Sequence, residues 1–381
     1  MTKLKAEDMG WEGLKIKMLI KDRGWTLQRL ATKIGVSRQS VTDWINGQIP
    51  KGHHLISLSQ CLGVTPADLF TPKPDDSISV PAHRKRGSAK IKPATTAEAF
   101  KLAKEYKSLF FNDAAGARLT DVWKLELGEA TPDPLSIKSI AQELRSESGI
   151  SPDNPMNYRY VFKMLDKLGL VVIFRNFHEP KTYAFYSKIY GRHVIFVNTD
   201  TNIMDLIFAL LHEAGHALLD RNGETFSDED ESVCDHLAGY VQFPDSYVDD
   251  TYESIKGLTP GEQINKLKYR CRKYGHSLHG VVTKIKGINP VFDLSVHGAD
   301  TNLKKEFPSM GQVLFETSDA REYVDKLFNF TPSFMKIIIS QLDTLSYKKL
   351  AELLELESTL DALEVHEELT RRKKAGRDNI C

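Results

Sequence analysis

The run Leu210-Leu211-His212-Glu213-Ala214-Gly215-His216-Ala217-Leu218-Leu219 constrains this chain more than any other stretch. Ile207, Leu211, Ala214 and Leu218 recur at helical spacing and predict a helix buried along one stripe. Positions four apart on a helix share a face, about 6 Å apart along the axis. His212 and His216 therefore aim two imidazoles at one point, and a buried pair of this kind needs partners. With Glu213 between them the spacing is the H-E-x-x-H pattern of helical zinc sites. A zinc ion with three protein ligands lowers the pKa of water to about 7, and a neighbouring carboxylate takes the proton as that water attacks a carbonyl. Glu213 is the candidate for that catalytic role.

Two histidines leave such a site one ligand short. The acidic run Asp228-Glu229-Asp230-Glu231 follows, and residues 232–240 resume helical periodicity. Glu231 and Asp235 are four apart, so Glu231 can bind the metal while Asp235 accepts the second ring N–H of a ligand histidine. Asp235 itself, Cys234, His236 and Glu224 are alternative third ligands, and an acidic run also suits a helix entry without any metal. Upstream, residues 170–174 and 193–197 read as short strands rich in β-branched and aromatic residues, with 183–186 as a third. Residues 198–201 close the last strand and offer caps for the motif helix. A strand edge beside a metal suits pairing with an extended peptide.

The N-terminal seventy residues carry an independent signal. Residues 27–33 and 38–45 read as two helices about a turn at Ile34-Gly35-Val36, with Ser37 as cap and Asn46-Gly47 as stop. Leu30, Ala31, Ile34, Val36, Val41, Trp44 and Ile45 lock the pair, which leaves Arg38, Gln39, Ser40, Thr42 and Asp43 outward. Arg and Gln suit base edges; Ser and Thr suit phosphate. Residues 1–70 hold ten Lys and Arg against six Asp and Glu, although the whole chain balances at 51 against 51. A basic end on a neutral chain fits a reader of double-stranded DNA.

Two resemblances follow from these motifs. The order Ile195-Phe196-Val197-Asn198, His212 to Leu219, Glu231, Cys234-Asp235-His236-Leu237-Ala238 and Phe243-Pro244 resembles the ImmA/IrrE-type zinc metallopeptidases over residues 155 to 250. That resemblance implies a zinc-dependent endopeptidase acting on a protein partner, since characterised members cut helix-turn-helix repressors. The chain departs from the usual Ala-Asn and Phe-Ala of the family at Cys234-Asp235 and Leu237-Ala238. Residues 26–45, a helix at 55–62 and the ending Val64-Thr65-Pro66-Ala67-Asp68-Leu69-Phe70 resemble the XRE (Cro/C1-type) DNA-binding domain. The glutamine usual at the start of its first motif helix is displaced here, with Leu27 in its place and Gln28 one position later.

The expected fold is α+β and mostly helical. Residues 1–72 form the helix-turn-helix domain and 73–97 a basic, Pro-containing linker, which reads as a spacer, a phosphate-contacting arm or a cleavage site. Residues 98–250 form a helical lead-in and the zinc peptidase core, and 251–381 a helical C-terminal region. Helices are expected at 96–111, 136–148, 156–168, 261–274, 277–286, 323–328, 334–342 and 345–356, with 119–127 less regular. The pair about Gly275-His276 reads as a packing hairpin, with His276 and His279 as surface or core residues. Cys61, Cys234, Cys271 and Cys381 are scattered without a C-x-x-C pair, which argues for reduced thiols. No signal-peptide pattern or membrane-length apolar run is present, so a cytoplasmic protein is expected, with a homodimer as an open possibility. Three functions fit: a DNA-binding regulator that cuts a repressor or antitoxin, a regulator whose peptidase-like domain senses a ligand or partner without cutting, and a repressor that cuts itself.

Overall fold

Caps written into the sequence open the helices of the N-terminal unit. Thr26 Oγ1 accepts from the Arg29 amide at 3.2 Å and Ser37 Oγ from the Ser40 amide at 3.0 Å. These bonds start Leu27–Ile34 and Arg38–Ile45 by satisfying amides that a helix start leaves unpaired. Gly35, at φ 72°, ends the first helix in the left-handed region, where a side chain would be strained. The computed structural model describes residues 11–64, 66, 69–70, 78–79, 93–114, 133–177, 182–220, 226–317 and 319–378. They fall into two units, 1–79 and 80–381.

In the first unit Leu30, Ala31, Val41 and Trp44 are buried with Ile16, Ile20, Leu58, Leu62 and Leu69, and Ile34, Val36 and Ile45 pack at the margin. The third expected helix runs Gly52–Cys61, starting earlier than 55. A helix at Gly13–Asp22 was not anticipated, because it has no side-chain cap to announce it. Its first residue must be glycine: a Cβ there would lie 2.2 Å from the Trp44 carbonyl oxygen. The backbone of this helix thus closes directly on the end of Arg38–Ile45.

The second unit is built on a three-stranded stretch of sheet. Ala184–Ile189 and Arg192–Asn198 form an antiparallel hairpin, and Val171–Arg175 lies parallel to Arg192–Asn198 on its other side. The hairpin turn uses Tyr190 at φ 48° and Gly191 at φ 77°, the positive pair that matches strand twist. The third strand therefore runs further than 183–186. Ile203–Leu219 leaves the sheet as the motif helix, and its cap is Asn202 rather than any of residues 198–201. Asn202 Oδ1 accepts from the Met204 amide at 3.0 Å, while its Nδ2 donates to the carbonyls of Lys304 and Phe307.

Several expected elements shift at their ends. The lead-in helix expected at 96–111 is two helices, Pro93–Glu105 and Lys107–Ala114. The break falls at Tyr106, which is fully buried with its ring against Phe196 and Phe334. The first of these helices begins within the segment assigned to the linker, since a proline in the first turn forfeits no helix bond. Residues 80–92 and the expected helix at 119–127 lie outside the described residues. Pro134–Ser148 and Tyr158–Lys167 follow.

The C-terminal helices are not a separate body. Thr331 donates to the Val172 carbonyl of the sheet, Gln341 to that of Leu109 at 2.8 Å, and Tyr323 to that of Leu354 at 2.6 Å. Pro260–Tyr274 and Leu278–Ile288 pack as a hairpin around Leu267, Cys271, Val281 and Ile285. His276, at their turn, is fully buried. Asp245–Ile255, His297–Lys304, Met310–Phe315 and Thr359–Asp378 are further helices that the sequence pattern did not single out. Among the described residues no helix is long and apolar enough to cross a membrane.

Candidate functional site

Two consecutive helices of the second unit build the site. Ile203–Leu219 carries His212, Glu213 and His216, each about 1–2% exposed. Asp228–Gln242 carries Glu231, Cys234 and Asp235. The second helix starts with a reciprocal cap, in which Ser227 Oγ accepts from the Asp230 amide and the Asp230 carboxylate accepts from the Ser227 amide. That cap absorbs Asp230 and makes the acidic run partly a helix entry. Glu231, one residue on, turns to the histidines instead.

The ring nitrogens sort themselves by side. His212 Nε2 and His216 Nε2 are 3.0 Å apart. Glu231 Oε2 lies 3.2 Å from the first, and Glu231 Oε1 lies 3.3 Å from the second. His212, His216 and Glu231 form a group among the described residues that could hold a metal ion. On the far side, His212 Nδ1 is 2.9 Å from Asp235 Oδ1, and His216 Nδ1 is 3.5 Å from Cys234 Sγ. Asp235 and Cys234 thus face the outer nitrogens rather than the point where the Nε2 atoms converge. His236 is exposed, with its Nδ1 at 3.4 Å from Ser232 Oγ. Glu224 lies outside the described residues.

Glu213 sits in the same buried region but is held by a different element. Its Oε2 accepts the backbone N–H of Tyr186 at 2.7 Å, from the hairpin strand Ala184–Ile189. The hairpin is in turn tied to the end of the motif helix. Tyr186 Oη and His193 Nδ1 are 2.7 Å apart, and Lys188 pairs at 2.6 Å with Asp220, the left-handed residue that ends the helix. Burial raises the Tyr186 phenol well above its ordinary range, so it stays protonated.

Sequence reasoning passed over three residues of this site. Gly215 lies between the two histidines, and a Cβ on it would be 2.9 Å from Cys234 Sγ and 3.2 Å from Cys234 Cα. It is a point of close approach between the two helices, and a small residue inside a ligand motif was the available signal. Phe226 covers the His216 ring at 4.2 Å between centroids, and no sequence pattern marks it. The main-chain donor of Tyr186 has no side-chain signature at all.

In the first unit Arg38 and Gln39 are exposed on Arg38–Ile45, while Ser40 and Thr42 are half-buried. Gln39 Nε2 donates to Asp43 Oδ1 at 2.8 Å, Ser40 Oγ is 2.8 Å from Ser37 Oγ, and Thr42 Oγ1 donates to the Arg38 carbonyl. Arg29 and Lys33, on the preceding helix, lie over the Trp25 ring. Gln28 is exposed, and Leu27 packs against the edge of the core.

The comparisons with known proteins divide the chain in the same way. Residues 16–69 match the helix-turn-helix family, and residues 165–256 match the IrrE N-terminal-like domain. No curated protein matches the chain. Among solved structures, the crystal structure of ComR from Streptococcus suis is similar at 12% identity over 96% of each chain, with a TM-score of 0.15. The first family match contains both capped motif helices; the second contains the whole His212 to Asp235 cluster. The chain thus joins an XRE-type helix-turn-helix domain at residues 16–69 to an ImmA/IrrE-like, peptidase-like domain at residues 165–256.

Proposed function

We propose that the second unit is a zinc-dependent endopeptidase acting on a protein partner, such as a repressor or antitoxin, and that the first unit ties this activity to an operator in the cytoplasm. The observation that carries the reading is the convergence of two buried Nε2 atoms and one carboxylate, that of the 33% exposed Glu231, at separations of 3.0 to 3.3 Å. With the Nδ1 protons directed at Asp235 and Cys234, both Nε2 atoms present lone pairs to each other and to Glu231. Three acceptors this close suit a shared cation. Zinc bonds of about 2.0–2.2 Å in tetrahedral geometry separate ligand atoms by roughly 3.3 Å, so the donor set and spacing fit that ion.

His212, His216 and Glu231 would hold the zinc, and Asp235 would orient His212. The chemistry such an ion supplies is Lewis acidity, which acidifies water and polarises a carbonyl oxygen. Glu213 takes the proton of the attacking water and passes it to the leaving amine. Tyr186 fixes the direction of that carboxylate through its backbone N–H. In the first unit, Arg38 and Gln39 meet base edges while Ser40 and Thr42 meet phosphate, and a dimer would place two such helices one turn of DNA apart.

The test is zinc content and partner cleavage in the full chain. His212→Ala or His216→Ala is expected to lose the metal, and Glu231→Ala to weaken it. Glu213→Gln should keep zinc and lose cleavage of a co-expressed repressor, read by intact mass. Cutting at the parent rate by Glu213→Gln would refute the base assignment. Intact partners with the loaded parent, alongside altered DNA binding, would leave a sensor that does not cut. Fragments of the chain itself split within 72–97 would indicate self-cleavage.

A further inference from the structure

The two candidate ligand histidines are steadied by unlike partners. His212 turns its Nδ1 to a carboxylate, whereas His216 turns its Nδ1 to the Cys234 thiol. Both His216 and Cys234 are buried, at 1% and 0% exposure, so water does not substitute for either. The separation of 3.5 Å is an N–H to sulfur distance, longer than one to oxygen because the sulfur atom is larger. Sγ reaches this position because residue 215 has no side chain, since a Cβ there would come within 2.9 Å of it.

Resting on the metal-centre reading above, we propose that Cys234 is a positioning residue of the site, whose sulfur accepts the Nδ1–H of His216 and so keeps its Nε2 unprotonated, as a ligand atom must be. A neutral imidazole carries one ring proton, and only the tautomer protonated at Nδ1 can ligate through Nε2. The partner on the outer nitrogen selects that tautomer and the ring orientation. Sulfur accepts more weakly than a carboxylate, so His216 is held less firmly than His212. Cys234 is not itself a ligand, because its sulfur lies on the Nδ1 side while His216 Nε2 faces His212 and Glu231.

The experiment measures zinc affinity by chelator competition in the full-length, reduced chain, with folding of each variant checked by thermal melting. Cys234→Ala is expected to bind zinc about 10-fold more weakly, and Asp235→Ala more weakly still, toward about 100-fold. Cys234→Ser, whose hydroxyl also accepts, should recover most of the Cys234→Ala loss. Cobalt-loaded protein should show no thiolate-to-metal charge-transfer band. Nitrogen-15 histidine spectra of the zinc-loaded parent should show His216 protonated at Nδ1, a readout that needs no variant.

Equal zinc affinity in Cys234→Ala and the parent would overturn the proposal. So would Cys234→Ser behaving like Cys234→Ala, which marks packing alone, or a charge-transfer band that Cys234→Ala removes, which marks a direct ligand. A parent chain that takes up no zinc would overturn the metal centre first and this proposal with it, which separates the two failures.

Discussion

The first unit displays its chemistry and the second encloses it. On Arg38–Ile45 the candidate DNA contacts are exposed or half-buried, and their hydrogen bonds run to neighbours three or four residues away. At the candidate metal centre the histidines and Glu213 are almost fully buried, and their partners come from a second helix and from a strand. An outward face tolerates substitution, because the partner that judges it is another molecule. A buried polar cluster does not, because each group left without its partner costs its desolvation.

The sharpest way to break this contrast is Arg145. Its guanidinium is buried and donates to the carbonyls of Val241, Ser151, Pro152 and Asn154, between 2.6 and 3.2 Å. It closes the end of the helix that carries Glu231. Burial lowers its pKa to about 10, opposed by Asp153, so it remains charged at neutral pH. Arg145→Met should destabilise the second unit by about 3–5 kcal/mol, as expected when one partner of a buried charged network is removed. A melting midpoint equal to that of the parent would show that these carbonyls find water instead.

His276 provides the pH test. Burial, with a contribution from Arg270, lowers its pKa from 6.5 to about 4, against the opposing bond to the Ser277 carbonyl. The buried ring is neutral and accepts from Tyr247 Oη at 2.7 Å. The unfolded chain therefore binds this proton more readily, and the stability it contributes is present above pH 6.5 and lost as pH falls toward 4. The loss over that window is roughly 3 kcal/mol for a shift of this size. His276→Gln should flatten the acid side of the stability profile of the second unit by that order. An unchanged slope between pH 6.5 and 4 would mean the ring is protonated in the folded state.

Gly215→Ala is expected to cost about 1–3 kcal/mol by overpacking against Cys234, and to weaken zinc because Glu231 moves away with its helix. Chelator competition and melting check both halves of this expectation. The smallest effects belong to the first unit. Ser37→Ala should cost about 1 kcal/mol of its stability as a lost cap. Gln39→Ala should leave stability within about 0.5 kcal/mol while relaxing sequence preference by roughly 1–3 kcal/mol in operator titrations. A drop in stability from Gln39→Ala equal to that from Ser37→Ala would erase the distinction between a displayed face and an enclosed site.

The parts legible in the sequence were those that depend on short-range geometry. Helix period alone places His212 and His216 on one face, and the cap at Ser37 starts a helix where a Ser precedes apolar periodicity. β-Branched and aromatic runs place the strands to within a few residues. Gly13–Asp22 and Thr359–Asp378 were missed because the first has no side-chain cap and the second is densely charged, so packing partners rather than local pattern hold them. The split at Tyr106 was missed for the same reason, since only the aromatic contacts with Phe196 and Phe334 explain the bend.

The two imidazoles, the carboxylate between them and the pair of helices at the N-terminus are legible in the chain alone, because each is settled within one or two helical turns. Which of Glu231, Cys234, Asp235 and His236 faces which ring nitrogen was decided only by the tertiary structure. That choice depends on how far the second helix is rotated about its own axis. The close approach of Gly215 to Cys234 is part of the packing that holds this rotation, a long-range contact that no spacing in the chain encodes.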